Sequence, residues 1–181
     1  MEKLDTPIEG LLVFKPRIFK DTRGEFFESF NQKAFNDATN GQFTFVQDNQ
    51  SISKKGVLRG LHFQNPPYAQ GKLVRVIHGS VIDVAVDIRK NSKTYGEYFS
   101  IELSAENNVQ FWIPPGFAHG FFAKEDETIF SYKCTNYYSP ESEGTIQWND
   151  VDLMIDWQGV PTMISEKDKE GEEFSNFVSH F

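Results

Sequence analysis

Short runs rich in β-branched and aromatic residues, each closed by a turn signal, leave this chain little room for anything but antiparallel sheet. The runs are Val57–Gln64, Lys72–His78, Ser80–Arg89, Glu97–Ser104, Val109–Ile113 and Thr128–Thr135. Between them fall Lys55-Gly56, Asn65-Pro66-Pro67, His78-Gly79, Asn91-Ser92, Glu106-Asn107-Asn108 and Pro114-Pro115-Gly116, all turn formers. Within Ser80–Arg89 the alternation puts Ile82, Val84, Val86 and Ile88 on one face and Asp83, Ala85 and Asp87 on the other. Helical pattern is scarce. Asn31 to Thr39 makes a short helix capped by Asn31 and stopped at Asn40-Gly41, and Ser165 can open another. The expected fold is all-β, a jelly-roll sandwich or barrel enclosing a cavity for a small ligand. With no repeat, linker or boundary in sight, residues 1–181 read as one domain.

Composition narrows the function. The chain carries 18 Phe, 6 Tyr and 3 Trp, far too much aromatic bulk for a disordered segment. A net charge of −8 argues against a nucleic-acid binder, which needs a basic footprint. The total conceals a split: residues 1–140 hold 16 acids and 16 bases, whereas residues 141–181 hold 10 acids and 2 bases. The middle of the chain is basic, through Lys54, Lys55, Arg59, Lys72, Arg75, Arg89 and Lys90. Cys134 is the single cysteine, so no internal disulfide or thiolate zinc site is expected, and a reducing compartment fits. No apolar run approaches the roughly 18 residues of a membrane span, and the N-terminus has no apolar signal core. The expectation is a cytoplasmic protein.

Four histidines are available. His78 lies in a turn and His180 near the end, and both read as structural. The strand around His62 reads His62-Phe63-Gln64 rather than H-x-H, so no metal centre is expected. His62 has more telling neighbours: Arg59 precedes it, and Lys72 follows in Gln70-Gly71-Lys72-Leu73-Val74-Arg75. A neutral imidazole can take a proton and a nearby ammonium can steady an oxyanion, which is what removing a proton next to a carbonyl requires. Strict alternation puts Arg59 and His62 on opposite faces, so both line one site only if the backbone bulges near Gly60. Tyr132 is a candidate acid, since an unperturbed phenol near pKa 10 stays protonated at neutrality; it can equally be a packed strand residue. Asp83 and Asp168 each stand as candidates to orient His62. The first also fits as the polar side of a strand, the second as a capping-box acid three residues after Ser165. Tyr137 and Tyr138 can stack on a planar base or simply pack on the surface.

Several stretches together carry a resemblance. They are Phe19–Gly24, Val46–Asn49, Gly56–His62, Ala69–Arg75, Ile113–Phe121, Tyr132–Tyr138 and Ile146–Asp150. In this order, and over essentially the whole chain, they resemble the dTDP-4-dehydrorhamnose 3,5-epimerase family. The resemblance implies a cupin-type jelly roll, a homodimer, and catalysis without metal or organic cofactor. It implies as substrate dTDP-4-dehydro-6-deoxy-D-glucose, a nucleotide sugar. Pro114-x-Gly116-x-x-His119 is similar to the second cupin motif, while the metal-binding first motif is degraded.

By the same resemblance His62 is the base, Tyr132 the acid on the opposite face of the sugar, and Lys72 the group that steadies the enolate. Asp168 is implied as the polariser of His62, with Asp83 near the same site. Arg23, Glu28, Gln47, Asp48, Asn49, Arg59, His119, Glu143 and Lys167 are implied as substrate contacts, and Tyr138 as a stacking plate for the base. Chemically, Arg23 and Arg59 suit a diphosphate, and Gln47 and Asn49 suit groups that both donate and accept. Three rivals remain at this point: an epimerase of carbon 3 alone or a ketoisomerase on a related dTDP-sugar, a cupin that binds a nucleotide sugar without turning it over, and a metal-dependent cupin oxygenase.

Overall fold

The computed structural model describes residues 2–41 and 43–181. The chain opens with β1 (Glu2–Asp5), β2 (Leu12–Lys15), the hairpin β3 (Ile18–Asp21) and β4 (Gly24–Phe27), and helix α1 (Gln32–Thr39). Next come β5 (Gln47–Ser53), β6 (Leu58–Gln64), β7 (Lys72–His78), β8 (Ser80–Asp87) and β9 (Tyr98–Ser104). The remaining elements are β10 (Gln110–Ile113), β11 (Phe117–Ala123), β12 (Thr128–Cys134), β13 (Glu143–Thr145) and α2 (Glu166–Lys169). Six strands pair in the order β1-β2-β10-β7-β12-β5 and five in the order β13-β6-β11-β8-β9. The strand pairs are antiparallel, and β3–β4 stands apart as a two-stranded ribbon.

Three apolar clusters hold these layers. Between the two sheets lie Val13, Val74, Val76, Val81, Ala85, Phe111, Phe121 and Phe130, where Phe121 and Phe130 stack with centroids 4.2 Å apart. The outer face of the five-stranded sheet presents Leu58, Leu61, Phe63, Ile82, Val84, Val86 and Ile88 to a cover drawn from the last third of the chain, including Ile146, Leu153, Trp157 and Phe177. The outer face of the six-stranded sheet is covered by α1, whose Phe35 packs among Phe14, Leu73 and Trp112. The Phe residues are therefore spread over all three layers rather than gathered between the sheets.

The six expected strands form within one or two residues of their expected ends. In β8 the alternation is as read, with Ile82, Val84 and Val86 on the outer face. All eight residues are nevertheless buried, because the polar side faces the other sheet rather than water. Helix α1 is capped as its sequence asks: Asn31 Oδ1 accepts from the Ala34 N–H at 3.0 Å, and Asn40 closes the helix at φ 58°.

The irregularity in β6 shapes everything near it. Against β11, His62 pairs with His119 but Arg59 pairs with Phe121, so β6 spends three steps where β11 spends two. This is a β-bulge with its extra residue at Gly60–Leu61. It turns Leu58, Leu61 and Phe63 to the outer core and frees Arg59 and His62 for one face. Only glycine fits: Gly60 has φ +143°, and a Cβ there would stand 2.6 Å from Gly120 Cα. Gly60→Ala is expected to destabilise the protein by about 3 kcal/mol, from backbone strain and overpacking together. That corresponds to a Tm lower by roughly 6–12 °C in a scanning melt; an unchanged Tm would show that the two strands do not approach this closely.

Candidate active site

His62 stands between two hollows and lines both. One, of about 360 Å³, is lined by Gln47, Asn49, His62, Gln64, Gln70, Lys72, Tyr132, Tyr138 and Glu143. The other, of about 390 Å³, is lined by Arg59, His62, Ser165, Lys167 and Asp168 among others. A larger depression of about 750 Å³, beside Arg89, Lys93 and Phe181, collects no opposed acid and base. His62 and Arg59 come from the five-stranded sheet; Gln47, Asn49, Lys72 and Tyr132 come from the six-stranded one. The first hollow thus has an imidazole on one wall and a phenol on the other.

The partner of His62 is Asp168. Its Oδ1 lies 2.7 Å from His62 Nε2, while its Oδ2 accepts from the Gly60 N–H at 3.2 Å. Burial alone raises a carboxyl, but the hydrogen bonds from His62, Gly60 and Ser165 outweigh it and hold Asp168 below the ordinary carboxylate value. The cap is made through the backbone, Ser165 Oγ accepting from the Asp168 N–H at 3.1 Å, while the carboxylate meets His62 and the Gly60 N–H. Asp83 does not touch His62. It is fully buried, and both its oxygens lie 3.0 Å from His119 Nε2. Burial pushes Asp83 up and His119 down, so this pair leans towards its neutral forms.

Desolvation also tunes the other two groups. Burial lowers the Lys72 ammonium from its ordinary value, with Cys134, Asp83 and Glu143 pulling the other way. Burial raises the Tyr132 phenol, aided by Cys134 and opposed by Asn49 and Arg59. A phenol raised in this way stays protonated at physiological pH.

The expected contacts divide into three groups. Gln47, Asn49, Tyr138 and Glu143 line the first hollow, and Arg59 and Lys167 the second. Gln47 Nε2 donates to Asn49 Oδ1 at 3.0 Å, Arg59 Nε donates to Ser53 Oγ at 3.2 Å, and Tyr138 Oη donates to Glu143 Oε2 at 2.8 Å. His119 is the register partner of His62, buried and engaged with Asp83 rather than open to a ligand. Asp48, Arg23 and Glu28 are not brought to either hollow by their own chain. Asp48 is exposed and ion-paired to Lys133 at 2.9 Å, because alternation along β5 sends it to the face opposite Gln47 and Asn49. Arg23 sits at the exposed tip of the β3–β4 ribbon, paired to Asp21, and Glu28 is exposed just past β4. Tyr137 is likewise exposed. Gln64 and Gln70 were not singled out as site residues although both line the hollow. Gln64 lies two residues after His62 on the same strand, which was a usable signal. Among the described residues no three His, Cys, Asp or Glu side chains gather as metal ligands.

The family model for dTDP-4-dehydrorhamnose 3,5-epimerase matches residues 5–176. The chain belongs to this family. Among similar epimerases, the dTDP-4-dehydrorhamnose 3,5-epimerase of Escherichia coli strain K12 is 54% identical over 170 residues, covering 93% of this chain and 92% of that one. The crystal structure of dTDP-6-deoxy-D-glucose-3,5-epimerase from Legionella pneumophila, in complex with dTDP-4-keto-L-rhamnose, superposes with a TM-score of 0.94. It is 47% identical and covers 98% of this chain and 94% of that one. A 3′-monoepimerase from Streptomyces bikiniensis, in complex with dTDP-quinovose, reaches a TM-score of 0.89 at 30% identity over 94% of this chain and 86% of that one. The cupin-type jelly roll of the epimerase family is therefore the fold of this chain. Within it, the depressed Asp168 carboxyl has a consequence for stability. A carboxyl whose folded pKa is lowered contributes above its ordinary value, and the contribution is lost as pH falls through the folded one. Asp168→Asn is expected to cost about 1.5–3 kcal/mol at pH 7, with the gap to wild type shrinking as denaturation is repeated from pH 5 down to pH 2. A gap independent of pH would remove the ionised Asp168–His62 contact.

Proposed function

We propose that this chain inverts carbons 3 and 5 of dTDP-4-dehydro-6-deoxy-D-glucose, giving dTDP-4-dehydro-L-rhamnose. The observation that carries the reading is that His62 and Tyr132 enter one hollow from opposite sheets. Epimerisation needs a proton removed from one face of a ring carbon and returned to the other, and two opposed walls supply both. The ketone at carbon 4 acidifies its neighbours. His62 Nδ1 takes the proton, the C–H electron pair moves into the ring, and the ketone oxygen becomes an enolate beside the Lys72 ammonium. Asp168, hydrogen-bonded to Nε2, favours the tautomer with its proton there, so Nδ1 is the nitrogen free to act as base. Tyr132 Oη then delivers a proton to the opposite face and is reprotonated from water, His62 gives up its proton to water, and the cycle repeats at the second carbon. Every step is a proton transfer, so the reading requires neither metal nor organic cofactor.

The remaining contacts follow from charge and shape. Arg59 and Lys167 line the hollow next to His62 and suit the diphosphate. Tyr138 at the mouth suits the base, and Gln47, Asn49 and Glu143 the polar groups between. Arg23, Glu28 and Asp48 reach a substrate only if a second copy brings the β3–β4 ribbon or the outer sheet face to the site. The exposed Phe19 and Phe26 on that ribbon give such a copy an apolar surface to cover, which supports a homodimer. Residues 1–181 act as one domain in this reading, located in the cytoplasm, where the lone Cys134 stays reduced. No helix among the described residues is long and apolar enough to cross a membrane.

A second reading, inversion of carbon 3 alone, is favoured by the likeness to the Streptomyces monoepimerase, because the shared fold does not count the centres inverted. The test is proton NMR of the product formed from dTDP-4-dehydro-6-deoxy-D-glucose. The rhamnose configuration at both centres is expected. His62→Asn is expected to abolish turnover, at least 10³-fold. Tyr132→Phe should keep proton removal but lose inversion at one centre. Full activity in either variant would remove that residue from its role, and inversion of carbon 3 alone by wild type would select the second reading.

A further inference from the structure

Residues 135–139, between β12 and β13, lie in no helix or strand, so side chains or water must meet the backbone groups that no ladder takes up. Tyr138 stands in this segment with its side chain exposed, and packing alone does not fix its ring. The backbone on either side of it is gripped by one buried side chain. Gln64 Nε2 donates to the Tyr137 carbonyl at 3.2 Å, and Gln64 Oε1 accepts from the Ser139 N–H at 3.0 Å. Nε2 also donates to the Tyr68 carbonyl at 2.6 Å, in the loop that follows β6. The Tyr138 N–H itself donates to Gln47 Oε1 at 3.1 Å. Gln64 lies two residues after His62, so the alternation of β6 sends both to the first hollow, which both line. A primary carboxamide suits this place, since one planar group offers two donors and an acceptor.

We propose that Gln64 is a positioning residue: its carboxamide clamps the backbone on both sides of Tyr138 and so sets the ring that faces the nucleotide base. The part played by that ring rests on the dTDP-sugar reading; the clamp itself does not. Both donors of Gln64 are spent on the protein's own carbonyls, and its influence on a nucleotide passes through Tyr138. A plate already fixed in the empty site loses less conformational freedom when a base stacks on it. That strengthens binding and leaves the proton transfers alone. The same strand therefore carries His62 to the sugar and, two residues on, the side chain that steadies the plate for the base.

In ligand-free Gln64→Met the amide of Tyr138, bonded to Gln47 rather than to Gln64, is expected to exchange about tenfold faster, together with that of Ser139. The amide of Asp152, held by a side chain in another loop, should keep its wild-type rate. Faster exchange at Ser139 alone would overturn the proposal, since the clamp would reach no further than its own bond. In the kinetic arm Gln64→Met is expected to raise KM for dTDP-4-dehydro-6-deoxy-D-glucose about tenfold with kcat within twofold, because His62, Lys72 and Tyr132 are untouched. Placed in a Tyr138→Ala chain it should change KM less than twofold. The same tenfold rise there, or a fall in kcat with KM unchanged, would mean that Gln64 acts on the substrate or on His62 directly and would overturn the proposal. If Gln64→Met does not fold, the wild-type protein decides the clamp. The Gln64 Nε2 protons are expected to exchange at least tenfold more slowly than those of exposed Gln158, by the cost of breaking their bonds; equal rates would remove the clamp. Wild-type protein that leaves the dTDP-sugar unchanged would sink the functional reading, while the exchange measurements still decide the clamp.

Discussion

In a strictly alternating strand Arg59 and His62 would point to opposite faces of the sheet. The extra residue at Gly60–Leu61 abolishes that conflict, and three consequences follow from it. Leu61 joins Leu58 and Phe63 in the outer core, so the irregularity is locked by burial rather than tolerated. Arg59 and His62 are released to neighbouring hollows. A bulge also leaves a backbone amide outside the ladder, and here the Gly60 N–H donates to Asp168 Oδ2. The residue that makes room for His62 thus also anchors the carboxylate hydrogen-bonded to it. The close approach of Gly60 and Gly120 is the steric condition for the whole arrangement.

The two-sheet sandwich supplies what a single strand cannot. His62 arrives on β6 and Tyr132 on β12, which belong to facing sheets, so their separation spans the interior. Desolvation then sorts the groups by charge type. It raises the Tyr132 phenol, keeping a proton ready to give, and lowers the Lys72 ammonium, bringing its ionisation nearer to working pH. The electrostatic layout resolves the apparent conflict between a net charge of −8 and a diphosphate ligand. Arg59 and Lys72 come from the basic middle of the chain, whereas most of the acidic last third wraps the outer face of the five-stranded sheet. Glu143 and Asp168, the two acids of that segment that reach the site, are each bound to a partner there.

Much of this was legible in the residues because it rests on local chemistry. The strands around Val57–Gln64, Lys72–His78 and Ser80–Arg89 announce themselves by β-branched content, and α1 by Asn31 and Asn40. The need for a bulge near Gly60 followed from alternation alone. Other features were not legible, for identifiable reasons. β5 reads Gln-Asp-Asn-Gln-Ser-Ile-Ser, and its burial alternates without any hydrophobic alternation, since its inner face lines a polar cavity. β13 is three residues long, below what periodicity can register. The choice between Asp83 and Asp168 as the partner of His62 depends on contacts across more than a hundred residues, which spacing does not encode. Arg23, Glu28 and Asp48 match the family motifs, but one copy of the chain does not carry them to its own site.

The central claim is that opposed acid and base act on both carbons flanking one ketone. The most direct measurement is isotope incorporation by the wild-type protein acting on dTDP-4-dehydro-6-deoxy-D-glucose in heavy water, read by NMR and mass spectrometry. The account predicts deuterium at carbons 3 and 5 of the product, with both centres inverted. Inversion without solvent label, or tight binding of the nucleotide sugar with no exchange at either carbon, would contradict it.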